Sequence, residues 1–406
     1  MSTPKTDHPV QPLWRIIPMA DFAPPPEPPQ QAASRRLRAI WRLLRSDDTS
    51  AQAPARAERD LRSLPEVQLE HLVPPIAWRE ALPALDEALA GWLERDSGSV
   101  RFLVGPPGCG LSEILTLWAA EHDWALVEPP SPEQVLSGGE DWLDAWPDTG
   151  GAPGWALPEL ERCYLRHAQG LTLIRRLFEA VTSGRRGPGL IACDSWAWAY
   201  LQRVWPIPAS DVLTLQAFDG ERLSAYFLQL ANSTHRRLRV RNARTGEDLL
   251  PLPDEQGGDE ASSRVSAELR QLAAHCRGNL GVAWDYWRTH LRTAPDPTEA
   301  GPDDSDATRQ DIDTVWWSSG RAPALPVETG DELAYVLHAL LLHNGLPIAF
   351  LDRLLPLSHA QIASSLGRLA QLGLVEQHGD RFCVAPLGYA ATREFLRGRG
   401  YLVDAF

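Results

Sequence analysis

Short apolar runs and helical stripes alternate along the chain, and that alternation sets the expected architecture. The run SVRFLV (residues 99–104) reads as a buried strand, and SEILTLWAAEH (112–122) places Ile114, Leu115, Trp118 and Ala119 on one helical face. Ahead of them, PIAWREALPALDEALAGWLER (75–95) carries a stripe of Leu82, Leu85, Leu89 and Trp92. WALVE (124–128) predicts a second strand. Residues 129–158 then read as an insertion rich in Pro, Gly, Asp and Trp, and residues 161–181 as a helix. GLIACDSW (189–196) gives a further strand, followed by a helix over 196–205. Strands separated by helices predict a parallel sheet covered on both faces.

The pattern changes after residue 330. DELAYVLHALLLHNG (331–345) is a strong helix ended by Asn-Gly, and LPIAFLDRLLP (346–356) predicts a second. SHAQIASSLGRLAQLGL (358–374) opens with a serine cap and buries Ile362, Leu366, Leu369 and Leu372. VEQHGDRFCVAP (375–386) then reads as a hairpin turning at Gly379 and Asp380. The acidic, proline-rich stretch 293–313 predicts a flexible linker. At the other end, the stretch APPPEPPQQ (23–31) predicts that residues 1–31 form an extended, mobile arm outside any core.

Two basic segments stand out. SRRLRAIWRLLRS (34–46) spaces Leu37, Ile40, Trp41 and Leu44 helically among five arginines. Docking on the neighbouring domain, peripheral contact with a membrane surface and a partner-protein groove all suit such a helix. In HRRLRVRNARTGEDLLPL (235–252), Arg237, Arg239 and Arg241 alternate with Leu238 and Val240, which predicts a two-stranded hairpin with an arginine face. That face is either solubilising charge on an edge or a surface for phosphates.

Composition narrows the function classes. At 406 residues the chain has room for two or three domains, and 44% hydrophobic content with 16 Trp supplies their cores. No apolar run reaches the ~18 residues of a membrane span, and no signal-peptide core opens the chain, so cytoplasmic residence is expected. Five scattered cysteines without a C-x-x-C pair indicate neither a disulfide framework nor a zinc site. A net charge of −14 opposes whole-surface attraction to nucleic acid, leaving only a local basic patch for that role.

Residues 105–112 read GPPGCGLS, the phosphate-loop pattern G-x-x-x-x-G-K-[ST] with Leu111 in place of the lysine. In such a loop the backbone amides converge on phosphate oxygens, the hydroxyl ligates Mg²⁺ and the ammonium reaches the terminal phosphates. Leucine cannot perform the last task. Lys5 is the sole lysine among 39 basic residues, so a drift away from lysine would leave arginine here, and Leu111 marks a lost function. A phosphate-loop enzyme also needs an acid at a neighbouring strand tip. Asp194 fits that place and fits equally a helix N-cap, while the following Ser195 cannot activate water. No catalytic residue is assigned.

Together GPPGCGLS and LIACDS resemble the AAA+/STAND superfamily of P-loop ATPases, in particular the origin-recognition or transposition-helper type with a C-terminal winged helix. Residues 211–231 are similar to the strand and helix that lead such domains into their lid, and CRGNLGVAWDYWRTHL (276–291) to the lid itself. The resemblance implies an α/β P-loop sheet with a helical lid, followed by a winged helix-turn-helix domain. Its divisions are an arm with the basic helix at 1–58, the degenerate core at 59–232, hairpin and lid at 233–292, linker at 293–330 and winged helix at 331–406. It implies ATP or ADP held weakly or structurally by Gly105, Pro107, Gly108, Cys109, Gly110, Leu111 and Ser112, with Arg277 and Arg288 from the lid, and Mg²⁺ at Ser112 and Asp194. Only about fifteen residues follow Asp194 before the next strand-like run, little room for the family's polar-tipped sensor strand. The expected function is a non-catalytic scaffold or regulator working through protein partners, with oligomerisation open. The alternative is an ATP-dependent, DNA-associated helper that contacts DNA through Arg368 and Arg381.

Overall fold

The computed structural model describes residues 12–26, 60–94, 99–146, 151–184, 186–206, 212–233, 237–251, 265–294, 312–318, 323–326 and 330–406. The basic segment 34–46 and most of the linker at 293–313 lie outside them. In chain order the strands are β1 (Ile16–Pro18), β2 (Arg62–Ser63), β3 (Val100–Gly105), β4 (Ala125–Leu126), β5 (Trp155–Leu157), β6 (Gly189–Asp194), β7 (Val212–Leu215), β8 (Arg237–Asn242), β9 (Leu291–Thr293), β10 (Ile312–Trp317), β11 (Leu346–Pro347), β12 (Val375–His378) and β13 (Arg381–Val384). The α-helices are α1 (Glu66–Leu72), α2 (Leu82–Leu93), α3 (Leu111–Glu121), α4 (Pro132–Leu136), α5 (Glu140–Asp144), α6 (Thr172–Thr182), α7 (Ser195–Val204), α8 (Gly220–Ser233), α9 (Ala267–His275), α10 (Leu280–His290), α11 (Asp331–Leu342), α12 (Ile348–Leu354), α13 (His359–Gln371) and α14 (Tyr389–Gly398).

The central sheet has six strands in the order β1-β7-β3-β6-β5-β4, all parallel except β1 at the edge. This is a mixed α/β arrangement with a mostly parallel sheet. Alternation along each strand divides the core into two layers. Phe102 and Val104 of β3, with Ile191 and Cys193 of β6, face one layer, whereas Leu103, Leu190 and Ala192 face the other. The second layer is covered by α2, α3, α8, α9 and α10.

Several expectations change. Part of the expected arm reaches the core: β1 pairs with β7, and Trp14 is buried edge-on against Trp78, Phe218 and Tyr226. Within the insertion at 129–158, residues 155–157 form β5, an inner strand. The helix expected over 161–181 is confined to α6, because residues 160–171 are held by two short 3₁₀ turns. In the 235–252 segment, β8 takes its ladder from β10, in parallel, and only a single bridge joins Arg241 to Asp248. The strand β10 lies in what read as the tail of the linker, within a four-stranded sheet of order β2-β9-β10-β8. Two arginines of that face have partners within the segment and its sheet. Arg239 makes two hydrogen bonds to Asp248 at 2.7 and 2.6 Å, and Arg241 donates to the Gly246 carbonyl while stacking over Trp316.

Helices α11 to α14 and the small sheet β11-β13-β12 form a C-terminal module that packs directly on the first layer. Leu333, Val336, Leu337 and Leu340 of α11 share one apolar cluster with Phe102, Ile191, Trp196 and Trp198. A buried polar network pins the contact. Asp404 accepts from the Ser195 hydroxyl (2.5 Å), from the Tyr389 hydroxyl (3.1 Å) and from Arg393 Nε (2.9 Å), while the Trp196 indole donates to Tyr389 (3.0 Å). The Asp404 side chain has no solvent exposure and that of Arg393 only 8%. Removing one partner of such a pair strands the other charge, which typically costs about 3–5 kcal/mol. Asp404→Ala is therefore expected to lower urea-unfolding stability by that amount. Asp331→Ala, which opens the exposed pair with Arg399, should change it by less than about 1 kcal/mol. Equal effects would contradict the network's assigned weight.

Candidate functional site

The glycine loop leaves the end of β3 and wraps onto the first turn of α3. Gly108 (φ 75°) and Gly110 (φ 82°) occupy left-handed conformations that a side chain would strain. A Cβ on Gly110 would also lie 2.5 Å from the Trp78 ring, which seals the loop's outer side. From the lid, Asn279 Nδ2 donates to the Pro107 carbonyl (2.7 Å), and a Cβ on Gly281 would sit 1.9 Å from the Gly108 oxygen. The start of α10 is thus seated on the loop.

Inside the loop, its own side chains take the space. Leu111 is 4% exposed and Cys109 7% exposed. A Cβ on Gly105 would meet Cys109 Sγ at 2.5 Å and Leu111 Cδ1 at 2.7 Å. The Cys109 sulfur faces the Leu111 amide, and burial pushes its thiol well above the ordinary range, leaving it unreactive. The Ser112 hydroxyl donates to the Pro158 carbonyl (2.7 Å).

Beneath the loop lies a cavity of about 100 Å³, lined by residues 105–113 together with Glu159, Glu161, Cys193, Asp194 and Asn344. Four of these are carboxylates: Glu113, Glu159, Glu161 and Asp194. Among the described residues no arginine, lysine or histidine lines it. Asp194 ends β6, which adjoins β3 directly, and its Oδ1 caps α7 by accepting from the Trp196 amide (2.9 Å). Its Oδ2 is buried without a hydrogen-bond partner. Glu161 Oε2 accepts from the Asp194 amide (3.1 Å) and Oε1 from Asn344 Nδ2 (3.4 Å), so the turn after α11 reaches the same cavity. Glu159, half-buried, is paired with Arg162 at 2.8 Å.

Of the residues singled out in the sequence, the loop residues and Asp194 meet here, whereas Arg277 and Arg288 do not. Arg277 donates to the Phe406 carbonyl (2.7 Å), and Arg288 lies over Trp284 and bonds Glu66 at 2.5 Å. Arg368 is exposed on α13. Arg381 donates to the carbonyls of His343, Asn344 and Gly345, which draws it into the module. Glu159, Glu161, Asn279 and Asn344 were not singled out in the sequence as site residues. For the two glutamates the signal was the PELE run closing the insertion, legible only once residues 155–157 are known to be a strand. No helix among the described residues is long and apolar enough to cross a membrane.

Burial raises the carboxyls of both Glu161 and Asp194, Glu161 to about 7, and their mutual repulsion adds to the rise for Asp194. Burial lowers His343 to about 3 and His338 to about 4. An acid whose folded pKa lies above its unfolded value favours the fold when protonated, and loses that advantage as pH rises from about 4.5 to about 7. The histidines act oppositely, costing stability as pH falls below about 6.5. A single-site comparison separates the two effects. The unfolding free energy of the wild type minus that of Glu161→Gln should decline between pH 4.5 and 7 and flatten above; a pH-independent difference would refute the assigned burial.

No protein-family model matches the chain, and no curated protein matches it in sequence. Among solved structures it is similar to a signal transduction ATPase with numerous domains, carrying a tetratricopeptide repeat sensor, from Pyrococcus horikoshii. The identity is 11% and the TM-score 0.26, over 86% of this chain and 44% of that one. The chain thus spans less than half the length of that protein.

Proposed function

We propose that the chain is a non-hydrolysing P-loop-type scaffold or regulatory subunit that acts through protein partners. The observation that carries this reading is the sign of charge under the loop. A phosphate cradle needs cations and free amides aimed inward. Here Leu111 is turned into the loop, and four carboxylates line a cavity of about 100 Å³. That volume is well below the roughly 300 Å³ at which ligand pockets begin. The residues present do not fit a nucleotide with Mg²⁺.

The strand order supports the P-loop lineage while reassigning its parts. With β5 counted, the acids that follow the third parallel strand are Glu159 and Glu161. On this reading β6 is itself the polar-tipped strand for which room looked short. The acid missed at Ser195 has counterparts in the cavity, but the cationic clasp has none. In the C-terminal module, three helices followed by a β12–β13 wing agree with a winged helix-turn-helix. Its buried union with the sheet supports a packing role over DNA binding, as does the engagement of Arg381 with backbone carbonyls.

Turnover tests the reading. Phosphate release from Mg-ATP should stay at the buffer background, at least a hundredfold below the ~1 s⁻¹ floor of ordinary enzymes. Release near 1 s⁻¹ that is abolished in Glu159→Gln would overturn it.

A further inference from the structure

A second cavity lies away from the glycine loop, between α1 and the four-stranded sheet. Its volume is about 480 Å³, inside the roughly 300–1,000 Å³ range of ligand pockets. Leu64, Val67 and Leu72 form one wall, and Leu238 of β8 with Val315 of β10 forms the other. Val315 is level with Val240, two residues on from Leu238, so Leu238 and Val315 face the same side of the sheet. The groove opens to solvent along α1, where the apolar Val67 is 78% exposed. Acidic residues flank it. Glu66 and Glu70 are exposed on α1, the former bonded to Arg288, and residues 295–311, which join β9 to β10, hold six acids against one arginine. Arg62 of β2, paired in register with Thr293, is a basic exception.

We infer that this groove is the docking site of the chain's own basic segment, residues 34–46, which lies outside the described residues. Its Leu37, Ile40, Trp41 and Leu44 fall at i, i+3, i+4 and i+7, the anchor spacing by which an amphipathic helix fills an apolar groove. Arg35, Arg36, Arg38, Arg42 and Arg45 are then left to the acidic flanks. Chain continuity favours this occupant over any other. Asp60 resumes the described chain just ahead of Leu64, and residues 47–59, which tie the segment to it, can span at most about 45 Å. A short tether supplies an effective concentration of about a millimolar. A groove that bound the free peptide with a Kd of only about 100 μM would then be filled about ten times in eleven. Docked there, the segment covers Val67 and withholds its own apolar stripe from membranes and partner grooves. The inference is independent of how the glycine loop is read.

Trypsin tests this on the full chain, because the arginines of the segment are cleaved only while it is undocked. Early cleavage after Arg38, Arg42 and Arg45, read by mass spectrometry, is expected to be about tenfold slower than in the free peptide 34–46. Val67→Asp changes an exposed residue whose burial the fold does not need, and should remove that protection. Trp41→Ser, measured against its own peptide, should do the same from the side of the segment. Glu70→Lys should roughly halve the protection, as suits an exposed charge contact. Leu126→Asp, at an exposed apolar position on β4, should leave it unchanged. Cleavage as fast as in the free peptide, protection that survives Val67→Asp, or equal loss in Leu126→Asp overturns the inference. Protection that appears only with vesicles of phosphatidylserine and phosphatidylcholine also overturns it and assigns the segment to a membrane. Protection that falls on dilution, as a dimer mass gives way to a monomer mass, overturns it in favour of a second copy.

Discussion

One apolar layer joins the sheet to the C-terminal module, and the state of the site follows from it. With α11 in one apolar cluster with Phe102, Ile191, Trp196 and Trp198, the turn after that helix reaches the cavity, where Asn344 donates to Glu161. The Asp404 network lies in the same contact and is costly to break halfway, because Arg393 and Asp404 are both buried charges. The two modules therefore behave as one packed body around the glycine loop.

On the proposed reading, the loop keeps the turns of an anion cradle and reverses its electrostatics. Gly108 and Gly110 supply the left-handed turns, and α3 begins where the loop ends, so the geometric half of the device is intact. The other half is charge. Leu111 contributes none, and the nearby strand tips contribute Asp194, Glu159 and Glu161. Burial keeps carboxyls in such a place protonated more readily than in water, which lets them persist side by side without a bound cation. The start of α10 completes the enclosure through Asn279 and Gly281, where anything larger than hydrogen on Gly281 would strike the loop.

Local pattern was legible where an element buries one face by itself. The stripe of α3 and the runs of β3 and β6 were read within a residue or two of their ends, and the stripes of α2 and α13 were found although α2 starts seven residues after, and α13 ends three residues before, the stretch read for it, because periodicity there is set by simple burial. It failed where a partner supplies the reason for the conformation. β5 is three residues between proline-rich turns, and it is a strand because β4 and β6 hydrogen-bond it from both sides. The run TVWW in β10 is β-prone, but its acidic approach masked it until β8 and β9 are seen to flank it. Trp14 reads as part of an arm until the aromatic cluster around Phe218 and Tyr226 is assembled.

The amino-acid order alone determined that a glycine turn joins a buried strand to a helix, that its lysine is gone, and that a helical module with a hairpin closes the chain. Those are statements about neighbours in sequence, where backbone sterics and one-sided burial act over a few residues. Which charges surround the loop was decided only by the tertiary structure. Glu159, Glu161, Asp194 and Asn344 are separated by up to 185 residues and meet because a parallel sheet gathers its strand ends on one edge and the C-terminal module packs against that edge. Electrostatic sign at a site is a sum over such distant contributors, and a local pattern does not contain it.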